Sequence, residues 1–98
     1  MAYLSVDRNG EENICNEKPI RHGIKQINGE TFAVYETEDG RIEGCCFIQG
    51  SGMTYKKMKK SDLSYWTSED SEITKLPKGS IEKLIGHAMT FEDEPYEL

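Results

Sequence analysis

The 98 residues leave room for one domain with a modest core, and only 36% of them are apolar while 31% are charged. The net charge of −6 argues against a nucleic-acid binder that relies on overall positive charge, and nine aromatic residues argue against a disordered chain. The charge is uneven: residues 1–54 carry −4, residues 55–60 carry four lysines and no acid, and residues 61–98 carry −6.

Met1 to Asp7 has neither a basic region nor a long apolar stretch, so no signal peptide is expected. The longest uncharged run, Gly44 to Tyr55, is too short and polar to cross a bilayer. Cys15, Cys45 and Cys46 are odd in number and two are adjacent, a poor disulfide framework. A reducing cytoplasm is the expected location, with no membrane association.

Ala2 to Val6 alternates as a strand, Asp7-Arg8-Asn9-Gly10 reads as a turn, and Glu11 to Asn16 returns around Ile14. Pro19 confines that run to an edge or ends it. Ile24–Ile27 and Thr31–Glu36 flank Asn28-Gly29, the strongest hairpin signal in the chain, with Phe32 and Val34 on one face. After a turn at Thr37-Glu38-Asp39-Gly40, Arg41 to Gln49 returns with Ile42, Cys46 and Ile48 on one side and Cys45 and Phe47 placed for burial near the middle. Thr31–Gln49 is therefore the expected heart of the sheet.

Gly50-Ser51-Gly52 is a break. Met53–Lys60 fits a strand or a poor helix equally. Leu63–Trp66 is a short apolar patch, Thr67–Glu72 a polar loop, and Ile73–Leu76 a further short strand. Gly79 or Ser80 then caps a helix in which Ile81, Leu84 and Ile85 form one stripe and Gly86 is the stop. Under two turns long, this helix must dock on the sheet. Phe91–Leu98 is expected to end the domain as a docked strand. The fold class is α+β: a small antiparallel sheet, twisted or partly rolled, packed by one short C-terminal helix, in a single domain spanning residues 1–98.

Several patterns offer chemistry, and each has a simpler structural explanation. Ser80-Ile81-Glu82-Lys83 matches Ser-x-x-Lys, a nucleophile and its base on one helix face, but the further motifs of such enzymes are absent. Cys45-Cys46, with Cys15, His22 and His87, could supply soft metal ligands, yet none has C-x-x-C or H-x-x-x-H spacing, and adjacent strand residues point apart. His22 and His87 are candidate bases with no assignable nucleophile. Glu92-Asp93-Glu94 with Glu97, and Asp7 to Glu12, lack the ligand spacing of a calcium loop. No enzyme, cofactor or metal is expected from these residues.

Tyr55-Lys56-Lys57-Met58-Lys59-Lys60, with Tyr65 and Trp66 nearby, is the best local case for binding. Lysines hold anions, aromatic faces stack, and aromatics dominate contact energies. The Gly-x-x-x-x-Gly-Lys-Ser/Thr spacing of a nucleotide-hydrolase loop is absent. Lysines on a sheet edge also prevent aggregation, the plainer reading.

Met1–Gly10, Glu17-Lys18-Pro19-Ile20-Arg21, Leu76–Gly86 and Thr90–Pro95 together resemble small uncharacterised proteins of gut bacteria and their phages. The likeness covers the two ends and not residues 24–75. It implies a phage or mobile-element accessory product and carries over no activity or catalytic residue. The expected function is a small, acidic, non-enzymatic binding module with a protein partner and room for a homodimer. The alternative is a binder of a small anionic ligand, such as a nucleotide signal, at Lys56, Lys57, Lys59 and Lys60.

Overall fold

The structure, a computed structural model, describes all 98 residues. Its strands are β1 (Tyr3–Val6), β2 (Glu12–Cys15), β3 (Ile20–Ile27), β4 (Glu30–Glu36), β5 (Ile42–Ile48), β6 (Gly52–Lys57), β7 (Tyr65–Thr67), β8 (Ile73–Leu76) and β9 (Tyr96–Glu97). One α-helix, α1 (Ser80–Ile85), and a 3-10 turn at Lys60–Asp62 complete the secondary structure. The strands form two mostly antiparallel sheets where one was expected. The chain divides into two compact units, Met1–Ile20 with Tyr65–Leu98, and Arg21–Ser64.

The first unit holds a sheet in the order β8-β2-β1-β9. The Asp7–Gly10 turn, closed by the Gly10 amide on the Asp7 carbonyl at 2.9 Å, sets β1 on β2 with Leu4 opposite Ile14 and Val6 opposite Glu12. Leu4 and Val6 share a face and are buried under Ile81 of α1, with Ile14, Leu76, Ile85 and Met89 around them. Burying each such side chain contributes roughly 1.5–3 kcal/mol. That contact holds a helix too short to persist alone.

Only part of the expected helix stripe is used, because Leu84 is 55% exposed. The cap also differs. Gly79 occupies the cap position, and the Ser80 hydroxyl donates to the Pro77 carbonyl at 2.6 Å. The orphan amides of Gly79 and Ile81 donate instead to the Glu12 carboxylate of β2, at 2.6 and 2.7 Å. One carboxylate therefore ties the sheet to the start of the helix, where negative charge is favoured. The helix stops at Gly86, whose amide donates to the Glu82 carbonyl at 2.9 Å. The tail docks as expected: β9 pairs with β1, and the Leu98 amide reaches the Ala2 carbonyl at 2.8 Å.

In the second unit the strands run β6-β5-β4-β3, each antiparallel to the next. Asn28 and Gly29 have φ of 50° and 82°, the pair of left-handed residues that a two-residue hairpin requires. Strand β3 starts at Ile20, directly after Pro19, rather than at Ile24. The undecided stretch 53–60 resolves as strand β6 followed by a chain reversal, with the Met58 amide on the Ile42 carbonyl at 2.9 Å.

Phe32 and Val34 share the inner face of this sheet and are fully buried, as their alternation requires. The segment after β6 seals that face. Met58 lies over Gly44, where a Cβ would stand 2.4 Å from its Cε, and the Asp62 carbonyl oxygen would stand 1.9 Å from a Cβ on Gly23. Glycine at 23 is thus a condition for the backbone of residues 62–63 to cross the sheet. Leu63 closes the layer, fully buried. Arg21, also buried, pairs with Glu36 at 3.5 Å across β3 and β4.

The expected burial in β5 does not occur. Gly44 is the buried residue, Cys45 is half-buried, and Phe47 is 68% exposed. The uncharged run from Gly44 suggests a strand covered on both sides, but the covering segment reaches one face only.

Candidate functional site

Strand alternation in the second unit sorts the remaining apolar residues onto the outer face. Ile24 of β3 stands opposite Ala33 of β4, Ala33 opposite Cys45 of β5, and Cys45 opposite Tyr55 of β6. One row of the sheet is therefore apolar from strand to strand. Phe47 and Met53 pair in the next part of β5 and β6. Ile24, Phe47, Met53 and Tyr55 are 53–68% exposed. Contiguous apolar surface of this kind marks interaction sites on small proteins. The row His22–Tyr35–Glu43–Lys57 borders it with polar groups.

Of the seven residues singled out in the sequence, Tyr55, Lys56 and Lys57 fall on β6. They share a groove of about 530 Å³ with Gly40, Arg41, Ile42, Glu43 and Met58. Lys56 and Lys57 point to opposite faces of the strand, and the Lys56 ammonium sits 5.8 Å from the Phe32 ring centroid. Lys59 and Lys60 come after the buried Met58 and do not line the groove. The Lys59 amide donates to Asp62, which also accepts from Lys25 at 3.0 Å. These bonds, the Lys59 amide first and the Lys25 ammonium second, hold the Asp62 carboxyl below the usual carboxylate range. The four lysines are thus divided between the two faces of β6 and the turn that follows it, with the Asp62 carboxylate bonded to the Lys59 amide.

The groove's other cation is already matched. Arg41 donates to Asp39 at 2.9 Å and to Glu43 at 2.5 Å, and its Asp39 bond in particular raises the guanidinium pKa. Glu43 also accepts from the Tyr35 hydroxyl at 3.2 Å. Burial, and then that bond to a carboxylate, push the Tyr35 phenol up. A carboxylate in the wall and a neutralised arginine make this groove a weak trap for a small anion.

Tyr65 and Trp66 lie on β7 in the first unit. Trp66 is 5% exposed: its indole N–H donates to the Val6 carbonyl at 2.9 Å, and its ring is 6.0 Å from that of Phe91. The Arg8 guanidinium covers Phe91 at 4.7 Å. In this fold Trp66 is core rather than an exposed contact. Tyr65, half-buried, lines an open cavity of about 650 Å³ with the loop that runs to Ile73.

The other candidate groups are engaged locally. Asp7 accepts from the Trp66 amide, Asn9 from the Glu11 amide, and Glu11 pairs with Lys75 at 2.8 Å. Asp93 accepts from the Thr90 amide, and Glu97 from the Tyr3 hydroxyl. His22 sits on the outer face of β3 opposite Tyr35, and His87 packs edge-on to Tyr96 at 6.1 Å. Cys15 is buried against the Ser71 hydroxyl at 2.9 Å. Burial, and then Glu30, raise the Cys46 thiol pKa and so disfavour a thiolate. No three His, Cys, Asp or Glu side chains converge to hold a metal ion.

No protein family, curated protein or solved structure matches the chain. No helix is long and apolar enough to cross a membrane.

Apart from Tyr55, the exposed row Ile24–Ala33–Cys45–Tyr55, with Phe47 and Met53, is a candidate site that sequence reasoning missed. Its signal is present in the alternation of β4 and β5. An uncharged stretch, however, reads the same whether it is covered on both sides or leaves one apolar face open.

Proposed function

We propose that the chain is a small non-enzymatic binding module that acts by protein–protein contact through the outer face of the second unit. The observation that carries this reading is the apolar row across β3–β6, exposed and flanked by aromatic Phe47 and Tyr55. Large flat apolar side chains in a ring of polar ones are the usual anchors of protein contacts. The unequal charge along the chain would orient the encounter. In this reading the sheets are a twisted, partly rolled α+β scaffold in a single cytoplasmic domain. The biological setting is that of a phage or mobile-element accessory protein that inhibits or redirects a host system. A homodimer remains compatible with it.

The test compares capture from host lysate by the wild-type chain and by Phe47→Ser/Tyr55→Ser, both checked for the same melting midpoint. A specific protein retained by the first and lost by the second supports the module. Equal retention by both overturns it.

A second and weaker reading, a binder of a small anion such as a nucleotide, rests on Lys56 and Lys57 in the groove and has the Glu43 carboxylate in the same wall against it. Its expected signature is a rise of several degrees in melting midpoint with a nucleotide, abolished by Lys56→Ala/Lys57→Ala.

A further inference from the structure

We infer that the outer edge of β6 receives an extended acidic–apolar segment of a partner protein as an added antiparallel strand. The inference rests on the binding-module reading and names the partner's chemistry.

Strand β6 ends the order β6-β5-β4-β3, so one side of its backbone lacks a neighbour in that series. Which groups point outward is set by register. The Met58 amide bonds the Ile42 carbonyl, and bonded pairs in an antiparallel ladder recur every second residue. Lys56 opposite Gly44 and Thr54 opposite Cys46 therefore bond inward to β5. The N–H and C=O groups of Met53, Tyr55 and Lys57 face away from it. An edge with such a set of donors and acceptors is a template for strand addition.

The side chains select the occupant. Met53 and Tyr55 project onto the same outer face as Phe47, Cys45, Ala33 and Ile24, so an added strand extends an apolar surface that already crosses the sheet. Apolar residues opposite Met53 and Tyr55 would bury against that row. Lys57 and Lys56 stand at the next two positions and form no ion pair, since Glu43, the cross-strand neighbour of Lys57, is engaged by Arg41 and Tyr35. Acidic residues opposite these lysines add favourable cross-strand pairs. The matching segment, read antiparallel from Lys57 to Met53, is acid–acid–apolar–any–apolar. A second copy of β6 fits less well, because an antiparallel copy centred on Tyr55 sets Thr54 and Met53, not acids, opposite Lys56 and Lys57.

The probe is an acetylated peptide Glu-Asp-Val-Thr-Ile-Thr, added to the intact chain while amide hydrogen exchange is followed residue by residue. Three comparisons accompany it: the same peptide N-methylated at Val and Ile, the peptide with Lys replacing both acids, and the chain carrying Lys56→Glu/Lys57→Glu. The expected result is exchange slowed about tenfold at Met53, Tyr55 and Lys57. That protection should vanish with the N-methylated peptide and weaken roughly tenfold on either charge reversal. Absence of protection up to millimolar peptide overturns the inference, as does protection indifferent to N-methylation or to charge. Slowed exchange confined to Ile24 and Phe47 sinks strand addition but keeps the module. If no peptide binds and capture is also indifferent to Phe47→Ser/Tyr55→Ser, the underlying reading fails as well.

Discussion

In the first unit Leu4 and Val6 of β1 disappear beneath Ile81 of α1, whereas in the second unit Ile24, Phe47, Met53 and Tyr55 of β3, β5 and β6 remain on the surface. Both sheets alternate apolar residues, so the difference does not arise in the strands. It arises in the covering segment that each sheet receives from later in the chain. The first unit gains a helix that brings its own apolar residues and is pinned by Glu12. The second gains the short segment Met58–Leu63, whose Met58 lies over Gly44 and whose backbone crosses Gly23 on the face that buries Phe32 and Val34. A sheet has two faces, and one buried face is enough to fold it. Apolar side chains on the other face are not needed to bury a first face, which is the physical basis of the proposal that a partner covers them.

The comparison predicts opposite responses to truncation. Ile81→Ala should cost about 3–4 kcal/mol, since a fully buried isoleucine loses both transfer and packing energy. Phe47→Ala, on the open face, should stay within about 0.5 kcal/mol although it removes a larger side chain. Thermal melting of the two variants decides the matter. Comparable losses would mean that the outer face belongs to the folding core after all.

Two glycines test the inner face more finely. Gly23→Ala places a methyl against the backbone carbonyl of Asp62, which cannot rotate away, and should cost about 3 kcal/mol. Gly44→Ala meets only side-chain atoms of Met58, its Cε, Sδ and Cγ, which have other rotamers, and should cost about 1 kcal/mol. Reversal of that order in chemical denaturation would show that Met58, rather than the 62–63 backbone, fixes the covering segment.

Much of the fold is readable from local signals, and the departures share one cause. Asn28-Gly29, the turn at Asp7–Gly10, the strand Ile73–Leu76 and the Gly86 stop act over a few residues, and each sits where the sequence places it. The pairing of β2 with β8 joins residues about sixty positions apart, so nothing local announces a second sheet. The Glu12 cap on α1 is equally remote, and Ser80 is the obvious local substitute. Phe47, Leu84 and Trp66 depart from their expected exposure because burial depends on which segment returns over a face. The lysine run is visible as charge. Its division between two faces and a turn depends on β6 ending at Lys57.

The Glu12 cap gives a smaller test, placed in the first unit. Glu12→Gln leaves one acceptor oxygen for two amides and removes a negative charge from the helix start, at an expected cost of about 1–2 kcal/mol. If the helix owed its position to packing alone, the midpoint of melting would not move.

The smallest effect separates two carboxylates of the second unit by acid titration. Asp62 and Asp39 both have pKa values below the ordinary one, Asp62 chiefly through the Lys59 amide and Asp39 chiefly through the Thr37 hydroxyl. A carboxyl depressed in the folded state stabilises it above the unfolded pKa of about 3.9, and that contribution fades as pH falls through the lower folded value. Asp62 is shielded and ties the chain reversal to β3 through Lys25, so Asp62→Asn should cost about 1 kcal/mol at pH 7 and progressively less as pH falls through the lowered folded value. Asp39 stands in solvent at the Thr37–Arg41 turn, where salt screens its pair with Arg41. At about 0.5 M salt the part of the Asp39→Asn effect that comes from Arg41 should shrink, leaving that of the Thr37 bond, whereas the Asp62→Asn difference should persist because its main source, the Lys59 amide bond, is not screened. Equal salt sensitivity of the two variants would show that Asp62 acts as a surface charge and that the segment covering Phe32 and Val34 is held by Met58 and Leu63 alone.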